Sequence, residues 1–370
     1  MTGRATVLVV DDEPGMVRTV TRILEGSNRI LSAASTDEAV ARLGAGGVDL
    51  ALVDVRMPQP DGFALLERIR REWPSTDVIM MTGSIAETDQ KLVQAIEAGA
   101  FYFITKPFER AVLLALVQRC MQLRRLDQER QQRLRQLSRE LELARTFQQS
   151  LLPPPMLRAG EHTVWSTVRP AVDLSGDFVD HGVLESGAPW VFVGDVCGHG
   201  AAAAMVTGIV KAALSGTLGA GQSPEAAALA LRAAARPLPA DMFFTHFLAW
   251  IEGDELHYVN AGHPAGLLRV AGLLRELERT EPLASPSLLE SAARPAIVPF
   301  PSGSRLLLYS DGLSEARDPD GAFFGIERLR QVLAESAVEN VLERVLAAVD
   351  SFARGRPADD DHALLLLARQ

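Results

Sequence analysis

Short apolar runs that stop at aspartate recur along this chain, and they restrict the folds open to it. In the C-terminal half Trp190-Val-Phe-Val193 leads to Asp195, Leu306-Leu-Leu-Tyr309 leads to Asp311, and Leu364 to Leu367 follow Asp361. Five acidic clusters result: Ser-Gly-Asp-Phe-Val-Asp at 175–180, Gly-Asp-Val-Cys-Gly-His-Gly at 194–200, Tyr-Ser-Asp-Gly at 309–312, Glu-Ala-Arg-Asp at 315–318 and Asp-Asp-Asp-His at 359–362. Runs of this length read as strands. Carboxylates at the ends of several strands can converge on one point, and hard divalent cations such as Mg²⁺ or Mn²⁺ take such oxygen donors. One cluster alone would read as a turn or a helix cap. Several at strand ends point to a two-metal hydrolytic centre.

The N-terminal third has a different rhythm. Ala5 to Val10 reads as a buried strand closed by Asp11, Asp12 and Glu13. Further strands are expected at 29–33, 49–53, 77–81 and 101–104, with helices near 14–25, 36–43, 62–72, 88–98 and from 108 onward. Alternating strands and helices imply a doubly wound, flavodoxin-like parallel sheet whose site lies at the carboxyl ends of the strands. Asp11, Asp12, Asp54, Thr82 and Lys106 all fall there.

That set, with Asp54-Val-Arg-Met-Pro58, Met81-Thr82-Gly83 and Ile104-Thr105-Lys106-Pro107-Phe108, resembles the receiver domain of two-component response regulators over about residues 4–123. The resemblance implies that Asp54 accepts a phosphoryl group from a histidine kinase. It implies Mg²⁺ held by Asp11, Asp12, Asp54 and the carbonyl of Arg56, with Thr82 and Lys106 on the phosphoryl oxygens. Phe103 matches the family's aromatic switch. The chemistry is coherent, because a cation and an ammonium offset the charge that a carboxylate nucleophile would repel.

From Leu113 to Leu151 a stride of three and four residues lands on Leu113, Leu116, Cys120, Leu123, Asp127, Arg130, Leu134, Leu137, Leu141, Ala144, Gln148 and Leu151. This reads as a coiled-coil seam, hence a homodimer, weakened at Asp127 and Arg130. The alternative is a single helix packed on its own N-terminal domain. Leu151-Leu-Pro-Pro-Pro155 ends the helix. The expected division is 1–123, a helical linker 124–155, and 156–370.

Chain-wide properties exclude several classes. A net charge of −10 disfavours a nucleic-acid surface. Two distant cysteines, Cys120 and Cys197, form no disulfide framework and fit a reducing compartment. No signal-like N-terminus is seen, and no uninterrupted apolar run approaches the roughly 20 residues of a spanning helix. A cytoplasmic protein without membrane partners is expected.

Beyond Met156, strand-like segments recur at 163–168, 190–194, 247–251, 256–260, 266–269, 305–309 and 363–367, with helices at 199–217, 224–236, 326–336 and 338–353. A layered α/β sandwich is expected. Here the acidic clusters, with Tyr258-Val-Asn-Ala-Gly-His-Pro264, Phe324-Gly325 and the upstream Glu142 to Pro153, resemble the SpoIIE/RsbU branch of the PP2C-type metal-dependent serine/threonine phosphatases, an αββα fold.

The resemblance implies two Mn²⁺ or Mg²⁺ ions. Asp195 would bridge them, the carbonyl of Val196 would complete one site, Asp311 and Asp360 would serve the other, and Asp177 would bind directly or through water. Two such ions lower the pKa of a water and clamp in-line displacement at phosphorus. Asp180 and Asp361 are outer or local hydrogen-bonding groups. His199 is either a proton donor to the leaving alkoxide or a helix cap, and Arg169 either a phosphate clamp or a surface residue. Ser175, Val179, Cys197 and Ala363 depart from the family pattern without removing a carboxylate. The substrate implied is a phosphorylated anti-sigma-factor antagonist of the STAS type. The alternative is a non-catalytic, phosphatase-like adaptor that binds or sequesters its partner.

Overall fold

The structure is a computed structural model that describes residues 4–83, 93, 95, 97–198, 200–288 and 294–370. The chain divides into two compact units, Met1–Arg135 and Gln136–Gln370.

In the first unit five strands, β1 (Thr6–Val10), β2 (Arg29–Ala33), β3 (Leu50–Asp54), β4 (Asp77–Thr82) and β5 (Tyr102–Thr105), form a parallel sheet in the order β2-β1-β3-β4-β5. β1 and β3 are almost wholly buried, as strands covered on both faces must be. Helices α1 (Pro14–Leu24), α2 (Thr36–Gly44) and α3 (Gly62–Glu72) follow the first three strands. Ser35 and Asp61 cap α2 and α3 by accepting from the N–H groups of Glu38 and Ala64. The helix expected over 88–98 lies largely outside the described residues.

A 42-residue helix, α4 (Arg110–Leu151), begins in this unit and ends in the next. Its first turns are not a free seam. Leu113, Val117 and Cys120 are buried with Val7, Val20, Leu52 and Ile104 of the N-terminal sheet layer. The coiled-coil expectation is therefore corrected for Leu113 to Cys120, where the domain's own apolar surface is the nearer partner. Leu134, Leu137 and Leu141 remain exposed.

The second unit is a four-layer sandwich. One antiparallel sheet runs β14-β11-β10-β9-β8, from β8 (Asp177–Val183), β9 (Pro189–Val196), β10 (Phe244–Glu252), β11 (Glu255–Ala261) and β14 (Ala296–Pro299). The other runs β13-β12-β15-β16-β7-β6, from β6 (Met156–Ala159), β7 (His162–Arg169), β12 (Gly266–Val270), β13 (Leu273–Leu277), β15 (Arg305–Tyr309) and β16 (His362–Arg369). Between them lies a core that includes Val179, Val193, Phe247, Leu308 and Leu365. Helices α5 (Ala201–Leu218) and α6 (Pro224–Ala234) cover the first sheet through Val206, Leu214 and Leu231. The one-turn α7 (Asp311–Ser314) follows β15, and α8 (Ile326–Glu335) and α9 (Val341–Ala353) cover the second sheet through Leu329, Leu333 and Val345.

Strands β6, β8, β13 and β14 escaped the sequence reading. β8 reads Asp-Phe-Val-Asp-His-Gly-Val, and its polar residues mask a strand that is buried at all but its last two positions. Among the described residues one helix, Ala201–Leu218, is long and apolar enough to cross a membrane by length and composition alone. Its Ala203, Val206, Val210 and Leu214 nevertheless belong to the domain core.

Candidate functional sites

In the first unit Asp11, Asp12 and Asp54 bring carboxylate oxygens within 4.8 Å of one another. Asp11 and Asp54 are buried, while Asp12 is exposed. The Lys106 ammonium stands 2.6 Å from Asp11 Oδ2 and 2.9 Å from Asp54 Oδ1. Burial raises the pKa of Asp54, against the hydrogen bond and charge of Lys106 that lower it. Burial also works to lower the pKa of Lys106, but the bonds to Asp11 and Asp54 outweigh it and the net shift is upward. Three carboxylates against one ammonium leave room for a hard divalent cation, so the donor set fits Mg²⁺. Thr82 is fully buried at the end of β4, and its carbonyl accepts from the Lys106 N–H at 2.6 Å. Phe103 lies in the domain core, and Arg56 is exposed one residue past Val55.

The second unit assembles its acids from both sheets. Asp177 and Asp195 are direct cross-strand partners on β8 and β9. Asp311 follows β15 and Asp360 precedes β16, which are paired through Tyr309 and Leu364. A cleft of about 320 Å³ is lined by Asp195, Val196, Asp359, Asp360 and Asp361. Two glycines permit the closeness. A Cβ on Gly312 would stand 2.1 Å from the carbonyl oxygen of Asp361, and one on Gly176 would stand 2.8 Å from that of Val196.

Electrostatics show what the cluster lacks. Burial, then the charge of Asp195, hold the Asp177 carboxyl well above the usual carboxylate range. Asp195 is pushed up to about 7 by burial and by Asp311, Asp360 and Asp361. Asp311 is raised by burial and by Asp360 and Glu315. Asp177 Oδ2 is buried with no hydrogen-bond partner among the described residues. An orphaned buried carboxylate oxygen facing other carboxylates is destabilised unless a cation meets it. The donor chemistry therefore fits divalent ions, while among the described residues only Asp11, Asp12 and Asp54 bring three carboxylates within 4.8 Å of one another.

Other expected residues fall elsewhere. Asp180 lies three residues from Asp177 on β8, so it points to the opposite face. There Lys211 holds both of its oxygens at 2.8 and 2.7 Å, which removes Asp180 from the acidic cluster. Asp361 points inward but is fully engaged: its Oδ1 accepts from the Ala171 N–H, and its Oδ2 accepts from the Ser175 hydroxyl and the Gly176 N–H. It holds the loop that carries Asp177. Arg169 donates to Asp350 at 3.1 Å on the surface. His199 lies outside the described residues. In the cluster at 315–318, Asp318 closes a turn by accepting from the N–H groups of Asp320 and Ala322. Glu315 and Arg317 remain beside Asp311.

Gln148, near the end of α4, falls in sequence on the seam and within the Glu142 to Pro153 segment. It is buried, and its side chain bonds Ser175 and Thr207. The sequence signal for it is that Gln148, like Asp127 and Arg130, is a polar residue on a mostly apolar stride.

A flavodoxin-like parallel sheet with its acidic triad and a four-layer α/β sandwich define the class: a response-regulator receiver domain joined to a PP2C-like domain. The family described as "Stage II sporulation protein E (SpoIIE)" matches residues 185–370, half of the chain, and the chain belongs to that family. "Response regulator receiver domain" matches residues 7–118. The SiaA-PP2C domain of Pseudomonas aeruginosa shares the fold at a TM-score of 0.56 and 22% identity, covering 64% of this chain and 98% of that one. The transcriptional regulatory protein TcrA of Mycobacterium tuberculosis is 34% identical over 167 residues, 43% of this chain and 55% of that protein. The response regulator protein PilR of Pseudomonas aeruginosa is 36% identical over 130 residues, 34% of this chain and 28% of that protein. This chain thus spans about half or less of these relatives' length.

Proposed function

We propose that this protein is a response regulator whose output is hydrolysis of phosphoserine or phosphothreonine on a partner protein. The observation that carries the reading is Asp177 Oδ2, buried and unpartnered opposite Asp195. Asp195 and the Val196 carbonyl would hold one ion, with Asp195, Asp311 and Asp360 holding the other and Asp177 adding a donor. When bound, two such ions supply an activated water and a clamp on the phosphoryl oxygens. The protein's part is to fix the ligands, through Asp361 on the Asp177 loop and Gly312 against the Asp361 carbonyl. An adaptor that had abandoned hydrolysis would have no need of these mutually repelling buried acids, which cost stability.

Asp54, beside Lys106, is the proposed acceptor from a histidine kinase, with Mg²⁺ on Asp11, Asp12, Asp54 and the Arg56 carbonyl, and with Thr82 and Phe103 as the switch pair. The working division is a receiver at 1–123, a linker at 124–155 and a phosphatase at 156–370. The exposed Leu134, Leu137 and Leu141 support a homodimer through α4. The substrate class is a phosphorylated STAS-type anti-sigma-factor antagonist, met in the cytoplasm. The test is Mn²⁺-dependent release of phosphate from such a partner, with and without an acyl-phosphate donor. A protein that binds the phosphorylated partner but releases no phosphate would establish the adaptor instead.

A further inference from the structure

Beside the acidic cleft lies a second hollow of about 290 Å³, walled by Asp311, Glu315, Arg317, Arg356, Asp359 and Asp360. It shares Asp359 and Asp360 with the cleft that holds Asp195, so the two flank the proposed ligands. A phosphorylated side chain carries close to two negative charges, and here it must approach several carboxylates. Bound cations offset part of that repulsion, and a fixed cationic donor is needed to orient the remaining oxygens.

Three arginines compete for the role. Arg169 is turned to Asp350 and lines neither hollow. Arg317 is exposed, with its guanidinium 4.9 Å from the Phe323 ring centroid. Arg356 differs from both. It sits four residues before Asp360, just past a left-handed turn at Arg354 (φ 48°) and Gly355 (φ 84°). Its side chain is 35% exposed, and Nη2 is held by Asp359 at 3.0 and 3.3 Å. Nε and Nη1 have no partner among the described residues. A guanidinium tethered at one corner, with two donors left over in a hollow beside proposed metal ligands, presents the fork that phosphate oxygens match.

We propose that Arg356 binds the phosphoryl group of the substrate, with Asp359 orienting its guanidinium. This rests on the phosphatase reading above. The test uses the full-length protein with Mn²⁺, and its probes are inorganic phosphate by calorimetry and p-nitrophenyl phosphate by turnover. Loss of charge-assisted bonds to phosphate should weaken phosphate binding by about 10- to 100-fold in Arg356→Ala. A rise of the same order should fall mainly on KM rather than kcat. Arg356→Lys should recover part of both, with Mn²⁺ affinity, titrated separately, at the wild-type value. Unchanged phosphate binding in Arg356→Ala overturns the proposal, as does loss of Mn²⁺ and phosphate together, which would mark a structural role. If wild type hydrolyses nothing yet binds phosphate through Arg356, the phosphatase reading falls and this inference stands. If wild type binds no phosphate, the inference falls.

Discussion

The side-chain amide of Gln148 grips the backbone of Ser175 from both sides. Its Oε1 accepts from the Ser175 N–H at 3.0 Å, and its Nε2 donates to the Ser175 carbonyl at 2.6 Å. Nε2 also reaches Thr207 of α5 at 3.2 Å. The last turns of α4 are thereby bonded to the loop two residues before Asp177. These bonds link the end of α4 directly to the loop that carries Asp177.

Gln148→Leu should therefore weaken Mn²⁺ binding and lower phosphatase activity while the domain stays folded. Stranding the buried Ser175 N–H and carbonyl costs on the order of 1–3 kcal/mol each. Calorimetric Mn²⁺ titration with circular dichroism of the same variant checks this. Wild-type affinity would show that the clasp is only structural.

Asp177→Asn and Asp195→Asn should each abolish hydrolysis and yet stabilise the ion-free protein. The amide removes a charge that burial and neighbouring carboxylates already oppose. For a domain of this size Tm should rise by about 2–4 °C for each kcal/mol relieved. Thermal melts in EDTA and in Mn²⁺ separate the two effects: wild type gains stability from Mn²⁺ and the variants gain less.

Without bound ions, the contribution of Asp195 to stability should fall as pH rises, while the buried His246 and His263, lowered to about 3, contribute in the opposite direction. Burial and the neighbouring carboxylates hold Asp195 at about 7 in the folded state, against about 3.9 for an exposed aspartate. Between those values Asp195 binds more protons in the folded state than in the unfolded one, so each step up in pH removes part of its contribution to stability. The loss should run from about pH 4 to about pH 7, and Mn²⁺ should reverse it at the upper end. Urea titrations at several pH values, with and without Mn²⁺, test this. Measured as the difference between wild type and Asp195→Asn, an ion-free stability that rises over that window would refute it.

In the receiver, an acyl-phosphate donor with Mg²⁺ should place one acid-labile phosphoryl group on Asp54, and Asp54→Asn should remove it. Lys106→Ala should leave Asp11, Asp12 and Asp54 without their ammonium and slow labelling markedly. Phosphoprotein gels report both, and undiminished labelling of Asp54→Asn would place the acceptor elsewhere.

Leu134→Lys with Leu141→Lys should shift the protein from dimer to monomer by light scattering, since like charges would then face each other across any α4 pairing. An unchanged mass in both forms would remove α4 as the interface.

What sequence alone determined were the local devices. Apolar runs and the aspartates beside them stand within a few residues of one another, so Asp54, Asp195, Asp311 and Asp360 could be named as candidates before any fold was known, and Asp177 from its acidic cluster alone. The sheet classes were legible for the same reason, because apolar period and turn residues are short-range signals. Tertiary structure decided what lies between distant positions. It turned Asp180 away from Asp177 through the pleat of a strand whose polar residues hid it. It gave Arg169 to Asp350, 181 residues on, and Asp361 to the Ser175 loop, 186 residues back. It also divided the α4 stride, taking Leu113 to Cys120 into the receiver core and Gln148 into the PP2C-like domain. A period of three and four residues states only that one face of a helix is apolar. What covers that face depends on which surface packing brings nearest, and that is fixed only when the whole chain is folded.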